Sequence, residues 1–236
     1  MARPASIKCI AKCVACMALV AVSVGWAAPI HAQDPAMPLL LIEGNRYERR
    51  TLDEQGRLQK TQELEVGSIR QADGEIEVAV TVIGSDEAGG STDTVRTTIR
   101  CRVENADMVM SVLALVGAEG RRVRVRVTGG EVLYPSSPVA GSLPPVSLEA
   151  TVEQGVVGFL GGRSRIALRD RTVQPTQGPP AAYTLASRLD LKFYVLGVRV
   201  RSQSYRMEEI VTPNRGLARQ VLTASDGSSV VLALTD

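Results

Sequence analysis

The stretch Leu189–Leu234 reads L-D-L-K-F-Y-V-L-G-V-R-V-R-S-Q-S-Y, then R-M-E-E-I-V-T-P-N-R-G-L-A-R-Q-V-L, then T-A-S-D-G-S-S-V-V-L-A-L. Leu189, Leu191, Phe193 and Val195 alternate with Asp190, Lys192 and Tyr194, the period of two that an extended chain imposes. After Leu196-Gly197 the apolar face moves to Val198 and Val200, with Arg199 and Arg201 opposite. Such a change of parity requires a bulge or a tight turn, and Gly197 is the residue that tolerates either. Strand-like runs follow at Leu217–Thr223 and Ser229–Leu234, separated by the turn signals Pro213-Asn214-Arg215-Gly216 and Asp226-Gly227. The stretch is antiparallel β.

The rest of the chain repeats the pattern. Short runs occur at Leu41–Thr51, Leu58–Val66, Glu75–Ile83, Thr94–Val103, Arg121–Val127, Leu148–Val152, Arg163–Arg169 and Tyr183–Ala186. In Glu75–Ile83 the residues Ile76, Val78, Val80 and Val82 share a face, and in Thr94–Val103 Val95, Ile99, Cys101 and Val103 do. A hairpin whose opposed residue numbers sum to 177 matches both faces: Ile76 meets Cys101, Val78 meets Ile99 and Val82 meets Val95 inside, while Glu75 and Glu77 meet Arg102 and Arg100 outside. The segment Asp107–Val116 fits neither period and reads as a strand or a single helical turn. No window carries a helical apolar stripe. Many strands at short spacing make the chain all-β, with an antiparallel multi-stranded sheet forming a sandwich, a half-barrel or a closed barrel. A half-barrel or sandwich is the expectation.

The N-terminus reads as a secretory signal. Arg3, Lys8 and Lys12 precede an uncharged run from Val14 to Ala28, and Pro29-Ile30-His31-Ala32 forms a cleavage region, with removal expected after Ala32. Residues 33–40 read as a flexible lead-in and residues 41–236 as a single β-rich domain, placed in the periplasm or outside the cell. No transmembrane span is expected after cleavage. Removing 32 of the 236 residues takes away the only His, the only Trp and three of the four Cys. It leaves 24 Lys+Arg against 25 Asp+Glu, so the basicity of the whole chain does not survive processing.

This inventory narrows the chemistry. Without His there is no Ser-His-Asp or Cys-His arrangement and no His-rich metal site. Cys101 lies on the apolar face of its strand and reads as a buried structural thiol. The carboxylate pairs Asp53/Glu54, Asp86/Glu87 and Glu208/Glu209 read as solvated turns and strand faces. Asp86, Glu87 and Asp93 lack the ordered spacing of a calcium loop, so neither metal nor cofactor is expected. Arg122, Arg124 and Arg126 read as the wet face of a strand neutralised by neighbouring carboxylates. Nucleic acid is disfavoured because only Phe159 and Phe193 remain as phenylalanine platforms.

The order of certain features is similar to that of the TapB-like proteins, a family of bacterial secreted β proteins whose layout related periplasmic domains share. The resemblance rests on Cys101-Arg102-Val103-Glu104-Asn105, the Tyr134-Pro135 loop ending in Val139-Ala140-Gly141-Ser142-Leu143-Pro144, and Leu196-Gly197-Val198-Arg199-Val200 followed by Gly216-Leu217-Ala218-Arg219. It implies a secreted β domain and brings no catalytic residues.

Three functions compete on these grounds. The first is a non-enzymatic envelope protein holding an apolar ligand, such as a lipid, in a curved sheet. The second is an envelope scaffold or protein-interaction module with a filled core, and a hydrolase comes last. For the first, Leu191, Phe193 and Val195 are the expected wall of a ligand site. Phe159 and Leu160, in the Gly-flanked stretch Val156–Gly162, are its expected lid.

Overall fold

A computed structural model describes residues 42–85, 93–116, 122–130, 134–135, 139–153, 162–176, 182–212 and 215–235. The expected signal, its cleavage site and the lead-in lie outside these residues, as do Phe159 and Leu160. All described strands belong to one compact unit, Pro35–Asp236.

Strand alternation carries through nearly every element. The strands are β1 (Arg46–Leu52), β2 (Leu58–Ala72), β3 (Glu75–Ser85), β4 (Asp93–Arg102), β5 (Arg122–Gly129), β6 (Gly141–Leu143), β7 (Val146–Val152), β8 (Arg163–Pro175), β9 (Tyr183–Val195), β10 (Val198–Thr212), β11 (Gly216–Ala224) and β12 (Ser229–Thr235). A short 3₁₀ turn, Val103–Asn105, and one helix, α1 (Met108–Leu113), stand between β4 and β5.

The expectation of an all-β antiparallel sheet holds, and the sheet goes further than a half-barrel. Its order runs β8-β7-β5-β4-β3-β2-β1-β12-β11-β10-β9, and β9 pairs again with β8, which closes an eleven-stranded barrel. The small strand β6 pairs with β8 at Arg171–Val173, beyond the β7 contact. Closure satisfies the edges that an open sheet would leave unpaired. All pairs are antiparallel except β4–β5, which is parallel. Inner faces are apolar: Leu64, Val66, Ile76, Val78, Val80, Val82, Leu148, Leu168, Leu185, Leu189 and Leu222 supply buried side chains.

The β3–β4 register follows the charge-and-apolar matching. Ile76 faces Cys101, Val78 faces Ile99, Val82 faces Val95, and Glu77 faces Arg100. The Glu77–Arg100 ion pair closes at 2.7 Å on the outer face. An exposed pair of this kind contributes only about 0–1 kcal/mol, so the inner face sets the register. The Arg row of β5 also faces outward, with Arg124 at 2.6 Å from Glu153 and Arg126 at 3.9 Å from Glu149. Cys101 is 2 % exposed, and burial with neighbouring carboxylates pushes its thiol up to about 12. Native protein is expected to resist thiol reagents at neutral pH and to label only on unfolding. Rapid labelling of the native state, followed by intact mass, would contradict this placement.

The segment Asp107–Val116 is helical at its centre. All six residues of α1 are buried, which explains the missing stripe: a helix enclosed on every side needs no polar face. It runs through the barrel lumen as part of the crossover between the parallel strands β4 and β5. An eight-stranded barrel is just filled by its own side chains. Eleven strands leave more room, and α1 takes part of it.

Candidate functional site

Two features occupy the lumen beside α1. The first is an enclosed polar network near the lower end, where β4, β5 and β10 finish. The β10 alternation Tyr205, Met207, Glu209, Val211 turns Glu209 inward, while Glu208 points to solvent. Glu209 is fully buried. This corrects the sequence reading of Glu208/Glu209 as a solvated pair: in-phase placement between Met207 and Val211 puts the second carboxylate in the core. Tyr134 OH donates to Glu209 Oε1 at 2.7 Å, and Gln220 Nε2 donates to the same oxygen at 2.8 Å. Tyr134 OH also lies 2.8 Å from Ser111 Oγ of α1. Burial drives the Glu209 carboxyl up to about 7 against the opposing effects of these donors and of Arg171. Arg171, itself buried, donates from Nη1 to Pro144 O at 3.0 Å.

Tyr134 reaches this network from the β5–β6 connection. That connection leaves β5 at Gly130, which has φ +88° and where a Cβ would lie 2.5 Å from Pro145 O. Only glycine fits there.

The same network holds α1 in place. Gln220 Nε2 donates to Met110 O and Ser111 O, and its Oε1 accepts from Ala114 N at 3.3 Å. From the neighbouring wall, Arg49 Nη1 donates to Ala114 O at 3.1 Å and to Val116 O, while Nε and Nη2 donate to Gln62 Oε1. Arg49 is 8 % exposed, and burial lowers its pKa to about 10. A cation at the carbonyl end of a helix answers the acceptors left open there.

The second feature is a cavity of about 460 Å³ in the upper half of the lumen, toward the turn that joins β9 to β10. Its floor is the end of α1 and the turn after it: Val112, Leu115 and Val116. Its wall takes Ile99 from β4, Val123 and Val125 from β5, Ala150 and Val152 from β7, Ile166 from β8, and Leu191 and Phe193 from β9. Thr97, Ser164, Gln203 and Tyr205 supply the polar groups, and no described lining residue is charged.

Leu191 and Phe193 of the sequence-derived site thus come together on this wall. Val195 does not: it is 41 % exposed, at the end of β9 beyond the cavity. Val152 and Gly162, which bracket the stretch holding Phe159 and Leu160, both line the cavity. Sequence reasoning does not find Glu209, Tyr134, Gln220, Arg171 or Arg49. Their one signal is polarity at an inward strand position, which is readable only once each strand's phase is fixed.

The barrel's outer face is studded with charge. Arg46, Glu63 and Glu65 pair across β1 and β2, and Arg188 and Arg169 approach Asp190. A membrane-spanning barrel has the opposite polarity, an apolar band outside and a polar lumen. Among the described residues no helix is long and apolar enough to cross a membrane.

No family model matches the chain. No curated protein matches it either. Several solved structures resemble it, two of which follow. A lipoprotein candidate from Parabacteroides distasonis aligns at 13 % identity with a TM-score of 0.44, covering 84 % of this chain and 96 % of that one. A candidate exported protein with a YmcC-like fold, from Bacteroides fragilis, aligns at 15 % identity with a TM-score of 0.40, covering 84 % and 97 %. At such values no function passes from those proteins to this chain.

Proposed function

We propose that this is a non-enzymatic, exported envelope protein that holds an apolar molecule, an acyl chain being the first choice, in the upper cavity of its barrel. The uncharged cavity of about 460 Å³, walled by Val, Ile, Leu and Phe193, carries the reading. Ligand sites of roughly 300–1,000 Å³ are mostly apolar, with a few polar groups that orient the ligand. An apolar cavity of about 150 Å³ already suffices for benzene. Periplasmic or secreted placement, with cleavage after Ala32, rests on the Arg3–Ala32 pattern and the TapB-like resemblance. The buried carboxylate supports a structural role in place of catalysis. Glu209 lies four residues along β10 from Tyr205 of the cavity, roughly 13 Å at strand rise, and is enclosed.

Native mass spectrometry of protein purified from its own envelope is expected to retain an apolar adduct, and an environment-sensitive acyl probe should bind the stripped protein. Ala150→Phe places a ring in the cavity. It should lower probe affinity at least tenfold with little loss of stability, because it fills space and displaces no packed group. A folded Ala150→Phe protein that binds the probe as tightly as wild type would refute the cavity as the site. The scaffold reading with a filled core would then take its place.

A further inference from the structure

The β9–β10 hairpin is unusual in two ways. Its turn residues Leu196 and Gly197 have φ +50° and +80°. Two positive φ values in a two-residue hairpin define the turn type that selects Asn-Gly or Asp-Gly, because a branched or bulky first residue is strained there. Leucine occupies that position, and it is 70 % exposed, so no packing within the barrel compensates for the strain. The second departure is apolar exposure. Among the described residues, four of the six exposed large hydrophobic side chains lie in this one tip: Val195, Leu196, Val198 and Val200. A locally unfavourable choice without a gain in the fold marks a site kept for something outside it.

The charge of the tip is one-sided. Lys192, Arg199 and Arg201 are its only ionisable acid–base groups besides Tyr194, and Leu191–Gln203 contains no carboxylate. None of the three cations has an ion-pair partner among the described residues, whereas Arg100, Arg124, Arg126 and Arg188 elsewhere on the barrel each meet a Glu or Asp. Tyr194, under the guanidinium of Arg165 at 5.2 Å, adds an amphipathic ring beside the tip.

We propose that this hairpin tip docks the barrel on an anionic lipid bilayer, with Leu196, Val198 and Val200 entering the interfacial region and Lys192, Arg199 and Arg201 meeting lipid phosphates. Beyond Tyr194, where the pairing with β8 stops, the tip is two-stranded and exposed from Val195 to Arg201, and it offers a protein partner far less than the roughly 800 Å² a side of a standard interface. A bilayer needs only a wedge of apolar side chains with cations at headgroup level. The tip also continues the cavity wall. Phe193 lines the cavity, its β10 partner is Arg201, and Val195 pairs with Val198 immediately beyond. Docking would therefore set the mouth of the barrel against the membrane. This last consequence rests on the ligand-holding reading, whereas the docking itself does not.

The test is co-sedimentation of the exported protein with phosphatidylcholine vesicles, with and without phosphatidylglycerol. Wild type is expected to bind the anionic vesicles and to be released by salt. Arg199→Gln with Arg201→Gln should weaken binding about 30-fold, since each cation near an anionic surface is worth roughly a factor of five. Leu196→Asp with Val198→Asp should lose at least tenfold. The Leu196→Asp change creates the favoured Asp-Gly turn, so this variant should fold at least as well as wild type. Both variants should bind the soluble acyl probe unchanged, which separates failure of docking from failure of the cavity reading. Wild type that ignores anionic vesicles, or a Leu196→Asp/Val198→Asp protein that binds them as well as wild type, would overturn the proposal.

Discussion

Replacing Glu209 by glutamine is expected to flatten the dependence of stability on pH between about 4.5 and 7. The carboxyl is fully enclosed, and desolvation raises it from 4.5 to about 7 despite the donors Tyr134 and Gln220 and the field of Arg171. Below pH 4.5 both the native and the unfolded chain hold this proton, and the group exerts no pH-dependent effect. As pH rises from there, the unfolded chain releases its proton while the native barrel keeps it. Stability therefore falls by up to about 1.4 kcal/mol per pH unit until the native group also ionises near 7, a total of about 3 kcal/mol. Asp190 and Asp226 act in the other direction. Their hydrogen bonds, chiefly with Ser204 and Ser228, hold them below the usual range, so their stabilisation is lost only as pH falls beneath it. The two windows do not overlap, and urea unfolding from pH 4.5 to 8 isolates the Glu209 effect. The slope is the quantity to compare, because the introduced amide shifts the level of the curve through its own hydrogen bonding. Parallel curves for wild type and Glu209→Gln would contradict an enclosed, proton-holding carboxyl.

Local pairing was legible in the sequence because two faces had to agree at once. In β3–β4 a one-residue slip of one strand would have buried that strand's charges, and the register summing to 177, which matches both faces, is the one observed. The parity change near Gly197 was equally legible. The tight turn is at Leu196-Gly197, and a bulge follows between Arg199 and Arg201. Closure was not legible. It depends on β1 meeting β12 and on β8 meeting β9 along thirteen-residue strands, and each strand's own pattern is the same in a sandwich and a barrel. The lumen helix hid for a related reason: Met108, Val109, Met110, Val112 and Leu113 are buried all round, which erases the stripe by which helices are found.

The candidate site divides along the same line. Leu191 and Phe193 could be placed on an inner wall because apolar residues at alternate positions announce that face. Polar residues on the same face announce nothing until the phase of the strand is known, and adjacent acidic residues such as Glu208 and Glu209 look alike in sequence. Tyr134 could not be joined to Glu209 at all, since their separation of 75 residues is bridged only by the folded barrel.

Arg49→Met is expected to destabilise the barrel by about 3 kcal/mol and to lower affinity for an apolar probe as well. The guanidinium donates to Ala114 O, Val116 O and Gln62 Oε1, all buried. A hydrogen bond to a charged group contributes about 1.5–3 kcal/mol, and an acceptor left buried without a donor carries a penalty of about 1–3 kcal/mol. Relief of the desolvation that lowers the Arg49 pKa offsets part of this sum. Methionine matches the length of the stem and fills the volume, so the loss reports the polar contacts more than a void. For a domain near 200 residues each kcal/mol moves the melting temperature by roughly 2–4 °C, which puts the expected shift at about 6–12 °C. Arg50→Met is the control on the same strand. Arg50 faces solvent in an ion pair with Glu48, and such pairs contribute at most about 1 kcal/mol. The functional consequence follows from the position of the acceptors. Ala114 and Val116 belong to the turn that, with Val112 and Leu115, floors the cavity. Freed of Arg49, that turn loses its tether to β1, and the floor no longer holds one shape. A variant with wild-type melting would show that Gln220 alone anchors α1. Lowered stability with unchanged probe affinity would place the ligand elsewhere than on this floor.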